Sequence, residues 1–175
     1  MSLEELVAGA GLIGVILYGT LGGADFGGGI WDLFARGPRR DEQRKAIAHA
    51  MGPVWEANHV WLIFVIVIIF TAFPPAFSAL SVGLFGLFHL VLVGVTLRGA
   101  AFVFRGSDYA NQSGFHWGTV FGIASVITPV LLGMAVGVIS SGQLRVIEGE
   151  VQRGGLLWLS PVSILIGAPA LALCA

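Results

Sequence analysis

Gly52-Pro53-Val54-Trp55-Glu56-Ala57-Asn58-His59-Val60-Trp61-Leu62 runs directly into residues 63–70, I-F-V-I-V-I-I-F, an unbroken apolar stretch. A carboxylate, an amide, an imidazole and two indoles are thus carried to a membrane boundary. Proline suits the first turn of a helix, where its missing N–H would be unpaired anyway. A helix starting at Pro53 puts Trp55, Asn58, His59 and Leu62 on one face, with Glu56 on its flank about one turn in. A charged group at the mouth of a spanning helix is costly unless it pairs, meets water or handles protons. The segment is therefore the expected functional centre.

Composition agrees with a membrane setting. Of 175 residues, 56% are hydrophobic and 11% charged, against about a quarter charged in soluble domains, and the mean hydropathy is +0.89. A net charge of −1 gives no reason to expect nucleic acid as a partner. One cysteine, Cys174, excludes a disulfide framework or a cysteine metal site within the chain. The first residues, Met1-Ser2-Leu3-Glu4-Glu5, lack the basic start of a signal peptide, so the first apolar segment is expected to stay as a span. The expected fold is an all-α polytopic membrane protein.

Five apolar segments are long enough to cross, at roughly 20 residues per crossing. They cover residues 6–35, 54–73, 78–104, 115–140 and 155–175. Residues 1–140 are expected to form a four-helix bundle, 141–154 an extracytoplasmic loop, and 155–175 a fifth span opening a second bundle. Phe73-Pro74-Pro75 ends the second helix, because proline cannot continue the hydrogen-bond ladder. Residues 41–50 (D-E-Q-R-K-A-I-A-H-A) suit a short cytoplasmic surface helix, with Asp41 and Glu42 at its positive end. Arg36, Arg39, Arg40, Arg44, Lys45, Arg98 and Arg105 lie on one side, and only Arg145 and Arg153 on the other. That imbalance places the first and third loops in the cytoplasm and the N-terminus outside.

The first span is rich in glycine around Asp25, and Gly23-x-x-x-Gly27 reads as a packing surface, since small residues let membrane helices approach. A dinucleotide loop would need a preceding strand. Asp25 lies roughly 15 Å from the cytoplasmic end of its span and Arg98 roughly 10 Å from the same surface. With Glu56 and His59 they collect in one half of the molecule. An Asp25–Arg98 pair either locks the first helix to the third or belongs to a polar path. Glu56 has no basic residue three or four positions on, which favours a carboxylate that relays protons. His59 reads as a hydrogen-bonded interface histidine rather than a haem ligand, because His89 enters from the other side. Trp31, Trp55, Trp61 and Trp117 lie toward the cytoplasmic side and Trp158 toward the outside, as interfacial aromatics do; only Trp61, farther in, needs another reason.

These residues also carry a resemblance. G-A-D-F-G-G-G-I-W-D (residues 23–32), the segment from Gly52 to Leu62, Leu97-Arg98, and P-V-L-L-G-M-A-V-G (residues 129–137) together resemble subunit II of the cytochrome bd-type quinol oxidases. The resemblance implies a bacterial cytoplasmic-membrane enzyme that oxidises quinol and reduces O2 to water. Its haems, two b and one d or a b-type substitute, would sit in subunit I, with no cofactor bound by this chain. It further implies a proton inlet at Glu56, where the family pattern W-D-G-N-x-V-W commonly has Asp. Trp55, Asn58 and Asp25 would lie along that path, and Trp61 beside a gas route. Glu in place of Asp keeps the charge and adds a methylene. The family has eight spans in two bundles, so about five spans imply a fragment or half of a divided subunit. The partners implied are subunit I, the remaining half, membrane lipid and quinone, with room for a small accessory subunit. Two other classes fit the residues less well: a secondary transporter or channel built around the glycine-flanked Asp25, and a purely structural membrane subunit with Glu56 inert.

Overall fold

The computed structural model describes residues 2–111, 116–147, 150–151 and 156–174, with the side chains of residues 105–111 left aside. Helix α1 (Leu3–Phe34) opens on a capping box. The Ser2 hydroxyl accepts from the Glu5 N–H at 3.2 Å, and the Glu5 carboxylate accepts from the Ser2 N–H at 2.8 Å, so two otherwise orphaned donors are satisfied. Helix α2 (Arg40–Ala72) returns antiparallel along α1. Their register is set by glycines: Gly28 faces Met51, Gly22 faces Asn58, Gly14 faces Phe64 and Gly11 faces Ile68. Next come α3 (Pro74–Gly83), α4 (Phe85–Asn111), α5 (Trp117–Ser140) and α6 (Pro161–Cys174), the last preceded by a 3-10 turn at Leu157–Leu159. Among the described residues, four helices are long and apolar enough to cross a membrane: α1, α2, residues 85–104 of α4, and α5. The all-α polytopic reading stands.

Several boundaries differ from expectation. The surface helix at 41–50 and the helix from Pro53 are one continuous α2. Proline at 53 removes a single backbone bond, a loss that packed membrane helices tolerate. Packing explains the continuity: Met51 is buried with Ala101 and Phe121, and Ile47 packs against the same cluster, so the segment before Pro53 is docked on the bundle. The third span divides at Leu84 into α3 and α4. Gly83 lies beneath Leu144, where a Cβ would collide, and glycine is a weak helix former. Helix α3 resumes immediately after Phe73, with Pro74 and Pro75 in its first turn.

Within the fifth expected span, α6 covers the 14 residues Pro161–Cys174, about 21 Å. The loop before it holds a two-residue antiparallel pair, β1 (Val146–Ile147) with β2 (Glu150–Val151), which the sequence reading did not anticipate. Phe115, Arg153, Gly155, Ala175 and the Arg105 side chain lie outside the described residues.

Helix α5 is the hub, in contact with α1, α4 and α6. Its seam with α6 is made of small residues, Gly133 against Ala170 and Gly167, and Gly137 against Ser163. The last residues of α6 lie over Gly23 and Gly27 of α1, where the Cys174 carbonyl occupies the space a Cβ at Gly27 would take. The α1 glycines are therefore a packing surface on several sides.

Candidate functional site

Polar groups converge where α1, α2, α4 and α5 meet. Asp25 is 0% and Arg98 1% exposed. Arg98 grips the carboxylate with both arms, Nη1 to Oδ2 and Nη2 to Oδ1, each at 2.9 Å, and Nη2 also donates to the Asp25 carbonyl at 3.0 Å. Its Nε donates to the Ser125 hydroxyl at 2.8 Å, and that hydroxyl donates to the Phe121 carbonyl at 2.7 Å. The guanidinium lies over the rings of Phe26 and Phe121, 4.4 and 5.1 Å from their centres. Planar, bidentate geometry of this kind is what arginine offers and lysine does not. Glycine at 29 makes the approach possible, because a Cβ there would overlap Ser125 Oγ. Sequence reasoning paired Asp25 with Arg98 but missed Ser125, Phe26 and Phe121. A serine in the middle of a largely apolar span was the signal available for Ser125.

Helix α2 adds Asn58, 3% exposed, whose Nδ2 donates to Asp25 Oδ2 at 3.2 Å. That contact turns Oδ1 away from the ion pair, and it has no hydrogen-bond partner. One turn earlier the buried Trp55 Nε1 also lacks a partner, while its ring stacks on Phe102 at 5.4 Å and meets His59 at 4.6 Å. His59 Nδ1 lies 2.8 Å from the Trp55 carbonyl; a carbonyl only accepts, so that nitrogen carries the proton. A cavity of about 10 Å³ is lined by Tyr18, Asp25, Asn58, His59 and Arg98 together with Phe26, Leu62 and Val95. That is room for about one water molecule. Tyr18 was not anticipated as part of this site.

Glu56 is placed differently from expectation. Because α2 begins at Arg40, Glu56 is not at a helix mouth but level with the Asp25 region of α1, given that Asn58 faces Gly22. Its side chain is exposed, on the same outward face as Val60, Ile63 and Val67. A carboxylate in an apolar outward stripe is what lipid alone disfavours. Trp61 is half-buried and edge-on to Phe64, with ring centres 5.6 Å apart, which is ordinary aromatic packing. His89 lies on the exposed face of α4, one turn from its start, with Nδ1 donating to the Phe85 carbonyl at 2.7 Å. It is not part of the cluster.

A membrane chain with a buried Asp–Arg clamp and a polar α2 face matches one family along nearly its whole length. The family model for cytochrome bd terminal oxidase subunit II matches residues 3–175. The chain belongs to that family. It is similar to cytochrome bd ubiquinol oxidase subunit 2 of Bacillus subtilis, 30% identical over 165 residues, which cover 93% of this chain and 48% of the relative. It is also similar to cytochrome bd-I ubiquinol oxidase subunit 2 of Escherichia coli K12, 29% identical over 133 residues, or 75% of this chain and 35% of the relative. The chain therefore spans about half the length, or less, of these relatives. Within the family region, the clamp joins α1 to α4 and α5, and Asn58 ties α2 to the same carboxylate.

Proposed function

We propose that this chain is the non-haem subunit of a bacterial quinol:O2 oxidoreductase in the cytoplasmic membrane. It supports a haem-bearing subunit I and delivers protons to it from the side that carries the basic loop. The relatives are named as subunits of ubiquinol oxidases. In such a complex, haems b and d (or a b-type substitute) held by the partner supply electron transfer and O2 reduction. Two quinols together would give up four electrons and four protons, and O2 would take four electrons and four protons to form two waters. This chain's part would be to move the protons. The imbalance of Arg and Lys puts the basic end in the cytoplasm and the N-terminus outside. On the same reading, residues 1–140 form the first bundle and α6 begins a second, joined along the glycine seam with α5.

The observation that carries the reading is Glu56, an exposed carboxylate at the depth of a buried ion pair. A partner surface with water at its edge would remove the cost of that position. On the inward side of the same helix segment, the unpartnered Trp55 Nε1 and Asn58 Oδ1 offer one donor and one acceptor on adjacent turns, which suits ordered water. Protons would be received at Glu56 and passed through water held by Trp55 and Asn58. Asp25, with both oxygens engaged, would end the polar region as a fixed charge. An O2 route past Trp61 is a separate proposal carried by the resemblance.

The test is purification through this subunit. A haem-bearing partner in equal amount, with quinol-dependent O2 consumption, is the expected result. Isolation of this chain without haem, together with solute flux into liposomes, would instead favour a transporter.

A further inference from the structure

A second concave surface lies about two turns along α1 from Asp25, at the corner where α1 turns into α2. It is an open groove of about 540 Å³, lined by Trp31, Phe34, Ala35, Arg36, Ile47 and others of α2. A volume in this range suits a lipid-sized head group with its backbone. The floor is apolar, and two aromatic rings stand open beside it: Trp31 is 60% and Phe34 58% exposed. The turn is fixed by Gly37, whose φ of +87° suits glycine.

Charge distinguishes this groove from plain lipid-facing surface. The corner holds Arg36, Arg39, Arg40, Arg44 and Lys45 against Asp32, Asp41 and Glu42, five basic groups to three acidic. Asp32 is paired with Arg44, whose Nε lies 3.9 Å from its carboxylate and donates to its backbone carbonyl at 3.2 Å. Asp41 and Glu42 sit in the first turn of α2, where the helix N-terminus favours them. Arg36, at the groove, is exposed and makes no ion pair among the described residues. Gln43, across the groove, adds an amide. The combination is a phosphate-seeking guanidinium and an amide above an aromatic, apolar floor, at the basic end of two spanning helices.

We propose that this corner is a seat for an anionic phospholipid. Its phosphate would lie on Arg36 and Gln43, with its glycerol and upper acyl carbons against Trp31, Phe34 and Ile47. Basic pockets between spanning helices recognise acidic head groups in this way, and interfacial aromatics anchor the glycerol level. The proposal does not depend on the proton path.

The test uses the intact assembly purified through this subunit, in nanodiscs of defined composition, with retained lipid read by native mass spectrometry. Phosphatidylglycerol should be held in preference to phosphatidylcholine. Arg36→Gln should weaken that retention about fivefold, from roughly 1 kcal/mol for one basic group at an anionic surface. Arg36→Lys should keep part of it, and Arg145→Gln, at the other end, should leave it unchanged. Equal retention of both lipids, an unaltered Arg36→Gln variant, or polypeptide filling the groove in the assembly would each overturn the proposal.

Discussion

Two carboxylates at one depth are treated in opposite ways. Asp25 is sealed, and its oxygens take three hydrogen bonds from Arg98 and Asn58. Glu56, on the neighbouring helix, faces outward among Val60, Ile63 and Val67. A buried carboxylate gripped on both oxygens by a guanidinium ties its helices together, because removing either partner would leave the other charge buried and unpaired. A carboxylate on an apolar outer face needs a partner surface or water to cover it. On the proposed function the first is a fixed structural charge and the second takes part in proton transfer, and each variant below strains one side of that difference.

The largest loss of stability is expected from Arg98→Leu. Breaking a buried pair by removing one partner typically costs about 3–5 kcal/mol, whereas removing both is far less harmful. Thermal unfolding of the assembly should therefore show a large drop for Arg98→Leu and substantial recovery in the Asp25→Leu/Arg98→Leu double variant. A simple sum of the two single effects would mean that the clamp carries no coupling. Next in size is Gly29→Val, which drives side-chain atoms into Ser125 and Phe121. Overpacking of this sort costs about 1–3 kcal/mol; an unchanged melting temperature would show that the α1–α5 contact is looser than described. A smaller effect is expected from Ala57→Leu, one turn before Trp61. If O2 passes there, the apparent KM for O2 rises by less than about tenfold, a barrier change under about 1.4 kcal/mol. An unaltered KM leaves Trp61 with its packing role against Phe64 alone.

Much of this arrangement was legible in the sequence, for a physical reason: charge inside an apolar segment must be accounted for, so Asp25 and Arg98 pointed to each other before any coordinates. The glycines around Asp25 likewise announced close packing. What was not legible depended on tertiary contact. Pro53 is a strong local signal for a helix start, yet burial of Met51 against Ala101 and Phe121 carries α2 straight through it. That continuity shifted Glu56 from a helix mouth to the level of the clamp. The break at Leu84 depends on Leu144 crossing Gly83, a contact between distant residues that no local pattern encodes. Ser125 was visible only as a polar residue in an apolar span, and its role needed the direction of Arg98 Nε. Tyr18 gave no signal until α1 and α2 were placed in register.

The most direct test of the division of roles is turnover of the assembled enzyme, per haem, with Glu56→Gln. Stability should change by less than about 0.5 kcal/mol, as for an exposed site. Quinol-driven O2 reduction and proton uptake should fall by about tenfold or more, the scale on which positioned proton-transfer groups act, with Glu56→Asp restoring much of the rate and the haem spectrum intact throughout. Undiminished turnover and proton uptake in Glu56→Gln would contradict the account.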